Sequence, residues 1–86
     1  MAKQCGILMI LFQRFVMEQF SVAIGKNIKV MRARREVSQA ELAFKAGLNQ
    51  SYLSRVENGS VNITVLKLKT VSDALQCNIR ELLPEI

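Results

Sequence analysis

Histidine is absent from this 86-residue chain, and aspartate occurs once, at Asp73. Without histidine, no Ser-His or Cys-His nucleophile can be assembled, and the commonest nitrogen ligand for zinc is missing. The acidic residues fall on expected helix surfaces or caps, not as a facing pair, and there is no glycine-rich phosphate loop. The chain is therefore not expected to be an enzyme, and no cofactor or metal is expected either. Cysteine is also scarce. Cys5 and Cys77 lie far apart with no CxxC spacing, which argues against both a zinc site and a disulfide framework. Reduced thiols in a cytoplasmic protein are the simple expectation, and an intermolecular disulfide through Cys5 is the alternative. Pro84 is the only proline, strand-like alternation is weak, and repeats and low-complexity tracts are missing. The expected class is all-α.

Half of the residues are hydrophobic, and twelve Lys and Arg against seven acids give a net charge of +5. The length fits one domain with a small core, for which oligomerisation is a natural supplement. Lys26, Lys29, Arg32, Arg34 and Arg35 lie within ten residues of one another. Such a cluster suits a polyanion, either nucleic acid or an anionic membrane face, although a solvated charged helix has the same composition.

The organising stretch is Ser38 to Gly59, SQAELAFKAGLNQSYLSRVENG. Ser38 is a good N-cap, and Glu41 three residues later completes a capping box. Leu42, Ala43 and Ala46 form one apolar face, and Gly47 ends the helix in a left-handed conformation. Leu48 plugs the turn. Asn49 caps a second helix with Leu53 and Val56 on one face, and Asn58-Gly59 stops it. Two short helices with about three residues between them make a helix-turn-helix, whose second helix is built to enter a major groove. Its outward residues, Gln50, Ser51, Ser54 and Arg55, are of the kind that reads base edges. An αα-hairpin inside an ordinary bundle would have the same spacing.

SQAELA, Gly47 and SYLSRVENG together resemble the helix-turn-helix of the Xre or Cro/cI-type repressor family. The resemblance runs from Ile24-Gly25 to ALQCNIRELL, roughly the last sixty residues. It implies a compact five-helix DNA-binding domain. It also implies that Gln39 faces phosphate, that Asn49, Gln50, Ser51 and Arg55 face the bases, and that Asn58 meets the DNA backbone. Arg32 and Glu57 correspond to an internal ion pair between the first helix and the end of the recognition helix. The candidate DNA-binding set is Ser38, Gln39, Asn49, Gln50, Ser51, Ser54, Arg55 and Asn58. The chain departs from the family where Glu36 and Gln76 stand in place of helix-ending glycines, and where Ile63 replaces a common proline.

Residues 1–23 read as an N-terminal extension to a domain spanning 24–86. The apolar run Gly6–Phe12 is far short of a bilayer span, and its likeness to a signal peptide is broken by Gln13, Arg14, Glu18 and Gln19. Leu11, Phe12, Phe15, Val16 and Phe20 suggest a separate helix over about 6–21, too apolar to stay exposed, which packs on the domain or on a partner chain. A start at Met17, with the preceding residues as an upstream extension, is the alternative. The next helix runs over 24–36 with Ile24, Ile28 and Met31 inward. Asn62 caps a helix over about 63–76 with Val65, Leu68, Val71 and Leu75 inward. Asn78-x-x-Glu81 starts a last helix over about 79–83, closed by Pro84; Ile79, Leu82, Leu83 and Ile86 are too apolar for a free terminus, and they either close the core or, as the resemblance implies for final helices, build a dimer interface. Lys67 and Lys69 read as solvated surface, with phosphate binding as the alternative.

The expected function is sequence-specific binding of double-stranded DNA by a homodimer on a palindromic or near-palindromic operator. A restriction-modification controller and a phage-type repressor share this plan. The alternatives are an antitoxin-type autoregulator and a protein-interaction module that does not bind DNA. No membrane or small-molecule partner is expected.

Overall fold

The computed structural model describes the backbone of residues 2–85 and the side chains of residues 8–85. Among these there are four α-helices and one 3-10 turn, and no strand. The helices are α1 (Ala2–Arg35), α2 (Gln39–Ala46), α3 (Gln50–Glu57) and α4 (Val65–Ala74), and the 3-10 turn is Ile79–Leu82. The all-α expectation holds, but the count of five helices plus an extra segment does not.

The segments expected at 6–21 and 24–36 are one helix of 34 residues, about 51 Å long at 1.5 Å per residue. Ser21-Val22-Ala23 looks like punctuation but contains no proline and caps nothing. The Ser21 hydroxyl instead donates to the Asn62 side chain, 41 residues away. With its amide oxygen engaged there, Asn62 does not cap α4. Thr64 does, its hydroxyl accepting from the Lys67 N–H at 3.2 Å. The helix thus begins at Val65, later than expected, and Val65 points outward at 74% exposure. The last helix shrinks to one turn between the Asn78 cap and Pro84. Its capping box is complete: Asn78 Oδ1 accepts from Arg80 N–H, and Glu81 accepts from Asn78 N–H, each at 2.9 Å. At the start of α2 the box is only half made. Ser38 Oγ accepts from Glu41 N–H at 3.0 Å, while the Glu41 carboxylate turns to Lys45 at 3.4 Å.

The core is contiguous. Ile24, Ile28 and Met31 of α1 meet Leu42, Ala43 and Ala46 of α2, Leu53 and Val56 of α3, Leu68, Val71 and Leu75 at α4, and Leu82. The N-terminal half of α1 takes almost no part. Phe20 is half-buried, but Leu11, Phe12, Phe15 and Val16 stay exposed on their own domain. By length and composition, the stretch from Leu8 to Arg35 is also apolar enough to cross a membrane. Its second half, however, is the core helix just described. Cys77 is half-buried, and burial, with Glu81 nearby, raises its thiol above the ordinary value. It stays protonated and unreactive near neutrality. The Cys5 side chain lies outside the described residues.

All four helices end the same way. A left-handed residue follows, directly after α1 and α2 and one residue further on after α3 and α4, and the amide after it reaches back to a carbonyl of the last turn: Val37 to Arg32, Leu48 to Ala43, Ser60 to Arg55 and Cys77 to Ser72, at 2.9–3.0 Å. Gly47 and Gly59 meet this demand, whereas Glu36 and Gln76 adopt φ of 55° despite their side chains. The two departures from the family's glycines are thus the two positive-φ residues that are not glycine. A left-handed L-residue costs about 1–2 kcal/mol, part of which a glycine would return as unfolded-state entropy. Glu36→Gly and Gln76→Gly should each raise stability by about 0.5–1 kcal/mol in urea unfolding. A loss in both would show that these side chains contribute more than their backbone strain costs.

Candidate nucleic-acid interface

The helix-turn-helix is set on α1 by close backbone contact. A Cβ at Gly25 would lie 2.3 Å from the Val56 carbonyl oxygen and 2.7 Å from that of Glu57. Only glycine lets the end of α3 approach α1 so closely. At the other end of α3, Asn49 Oδ1 accepts from Ser51 N–H at 2.8 Å, as the capping pattern requires. Gly47, at φ 68°, turns the chain between α2 and α3.

The expected ion pair is formed and fork-shaped. Arg32 Nε donates to Glu57 Oε2 at 2.7 Å, and an Arg32 terminal nitrogen donates to Glu57 Oε1 at 2.9 Å. The Glu57 side chain is 1% exposed. The other terminal nitrogen of Arg32 donates to the Val37 carbonyl at 3.2 Å, closing the turn after α1. The hydrogen bond to Glu57, only partly opposed by burial, raises the arginine's pKa and keeps it charged.

Spacing gave no sign of the next link. Gln39 Nε2 donates to Glu57 Oε1 at 3.1 Å, and Gln39 Oε1 accepts from Gln50 Nε2 at 3.4 Å. A chain of polar contacts therefore runs from α1 through the buried carboxylate to the first turn of α3. The residue pair 39 and 57 is 18 positions apart, and no periodicity connects them.

On the outer surface, Gln39, Gln50, Ser51, Ser54 and Arg55 line one shallow, open concavity. These are five of the eight candidate residues. Ser38, Asn49 and Asn58 are exposed outside its lining. The Arg55 side chain is exposed and makes no ion pair among the described residues. The basic cluster of α1 is less free than its composition suggests. Arg32 is committed to Glu57, and Arg35 donates to the carbonyls of Leu75 at 3.1 Å and Gln76 at 3.2 Å, capping the end of α4. Lys26, Lys29 and Arg34 remain exposed. Lys67 is not simply solvated, because its ammonium lies 4.5 Å from the ring centre of Tyr52 in α3. Lys69 pairs with Asp73 at 2.8 Å.

The buried pair yields a stability test. Glu57→Ala leaves Arg32 without its carboxylate and should cost about 3–5 kcal/mol in urea unfolding. A loss below about 1 kcal/mol would mean that the pair behaves as an exposed one.

Comparison with known proteins agrees with this geometry. The immunity repressor protein of Bacillus phage phi105 is 33% identical over 64 residues, covering 74% of this chain and 44% of that protein. The chain thus spans less than half the length of that relative. The restriction-modification controller protein C.AhdI from Aeromonas hydrophila superposes with a TM-score of 0.70 at 34% identity, covering 72% of this chain and 94% of that one. The biofilm master regulator SinR, solved in complex with DNA, superposes with a TM-score of 0.64 at 40% identity, covering 69% and 95%. The family model described as Helix-turn-helix, HTH_3, matches residues 28–82, from the first core helix to the final turn, and the chain belongs to this Xre-like helix-turn-helix family.

Proposed function

We propose that the chain is a transcriptional regulator that binds a palindromic or near-palindromic DNA operator as a homodimer in the cytoplasm. The observation that carries this reading is the polar concavity of Gln39, Gln50, Ser51, Ser54 and Arg55, held on a helix-turn-helix by the Arg32–Glu57 pair. The relatives named above, a phage repressor, a controller protein and a regulator solved on DNA, support it over an interaction module without DNA binding. They support a non-enzymatic role in the same way.

Residues 24–86 form the DNA-binding unit in this reading, and 1–23 extend it. Helix α3 enters the major groove. Arg55 forks onto guanine O6 and N7, Gln50 pairs with adenine or bridges to its neighbours, and Asn49, Ser51 and Ser54 make shorter contacts to base edges. Ser38 and Gln39 meet phosphate at the α2 N-terminus, where the free N–H groups and the helix dipole favour an anion. Gln39 keeps one amide hydrogen for that phosphate while its other hydrogen holds Glu57. Asn58 meets the sugar-phosphate backbone beyond α3.

Two measurements test the assignment. Arg55→Ala should cost about 1–3 kcal/mol on the operator and relax preference at one base pair per half-site, with a much smaller loss on nonspecific duplex. A competition assay against operators randomised one position at a time reads this out. A uniform loss with every preference intact would make Arg55 a backbone contact and reverse the proposed orientation. With roughly 6–10 phosphate contacts per dimer, affinity should also fall about 10³–10⁵-fold between 50 and 200 mM salt. Association insensitive to salt would point to a protein partner instead.

A further inference from the structure

The first half of α1 is the part of the molecule whose surroundings are unaccounted for. Leu8, Met9, Ile10, Leu11, Phe12 and Phe15 each expose more than half of their surface. A helix that is apolar nearly all round is normally a buried one. Next to it, on the domain, lies an apolar groove of about 430 Å³, walled by Met17, Phe20 and Ile24 of α1, Val61 and Ile63 of the loop between α3 and α4, and Leu68 of α4. Its only polar side chains, Ser21 and Asn62, are bonded to each other. The rest of the lining is apolar, and the groove suits an apolar helix.

Rod and groove are continuous, because Val16, Met17 and Phe20 line the groove and also lie on the rod. The rod cannot fold back into its own groove, since α1 is unbroken from Ala2 to Arg35. An identical rod from another molecule can enter it. Resting on the homodimer reading above, we infer that the apolar N-terminal half of α1 is the dimerisation element, each rod lying antiparallel in the groove of a second copy, centred near Val16. Arg14 and Glu18 stand two residues either side of that centre, so the arrangement brings them opposite each other across the pair. Four residues apart on one helix, they form no ion pair within the chain.

The available area is sufficient. Met9, Ile10, Val16 and Met17 share the groove's side of α1 and are 43–62% exposed; with Val65 and Leu83 at the groove's rim, at roughly 80–90 Å² each they offer about 500 Å² per copy, so the pair reaches the roughly 1,000 Å² expected of a specific interface. A bilayer is a poorer match. Ile24 already belongs to the core, so Leu8–Ala23 provides about 24 Å of rod for a hydrocarbon layer of roughly 30 Å, and Gln13, Arg14, Glu18 and Gln19 interrupt it.

The test is the solution mass of the full chain by analytical ultracentrifugation, with helicity by circular dichroism as the check on folding. Met17→Glu and, further from the core, Ile10→Glu should raise the dimer Kd by at least about 100-fold. Both should keep wild-type helicity and weak binding to nonspecific duplex. Leu66→Glu, at an exposed α4 position outside the groove, should leave the dimer intact. A dimer insensitive to Met17→Glu and Ile10→Glu but lost with Leu66→Glu overturns this inference and leaves the homodimer reading standing. A wild-type chain that is monomeric up to about 100 μM overturns both. Flotation of a monomeric wild type with phosphatidylglycerol vesicles, abolished by Ile10→Glu, would identify a membrane as the occupant and overturn the inference too.

Discussion

The placement of α3 depends on one buried carboxylate. Glu57, at the end of α3, is closed off from water and held by Arg32 from α1 and Gln39 from α2. A buried ion pair contributes little net energy against well-packed apolar groups, but it tolerates few alternative geometries. Its value here is orientation. The fork of Arg32 fixes the roll of α3 about its axis, the bond to Val37 fixes the turn that launches α2, and the bond from Gln39 sets the angle between the two helices of the motif. Gly25 supplies the matching steric condition by letting the α3 carbonyls lie directly on α1.

The features legible in the amino-acid order were those whose cause is local or strongly patterned. Ser38, Gly47, Asn49 and Asn58-Gly59 act within a few residues of themselves, and the structure uses each of them where the pattern put it. The Arg32–Glu57 pair was legible through the family resemblance, since its partners stand 25 residues apart and no local pattern joins them. Other features depend on residues far apart in the chain. Ser21 continues a helix that it could have ended, because its hydroxyl finds Asn62 across the fold. That same contact moves the start of α4 to Thr64 and turns Val65 outward. The Gln39–Glu57 bond, the stacking of Lys67 on Tyr52, and the service of Arg35 as a cap for α4 arise only once the helices have been assembled.

Helix termination shows a related division. The backbone requires a left-handed residue after every helix, and the chain supplies glycine at two of the four sites. At the other two the surrounding bonds impose the conformation. Arg35 grips the carbonyls of Leu75 and Gln76, joining the end of α1 to the end of α4. The strain at Glu36 and Gln76 is thus held by the contacts that bring the two ends together, and these positions are fixed by tertiary structure more than by their own preference.

The unbroken length of α1 has a mechanical consequence. A continuous helix of 34 residues without proline lacks the commonest cause of a sharp kink. Its outer end projects from the domain, whereas its inner end bears on α3 at Gly25 and on Glu57 through Arg32. A torque applied to the outer end is therefore passed along α1 to α3. Whatever grips the first turns of this lever sets the angle at which the other end meets its target.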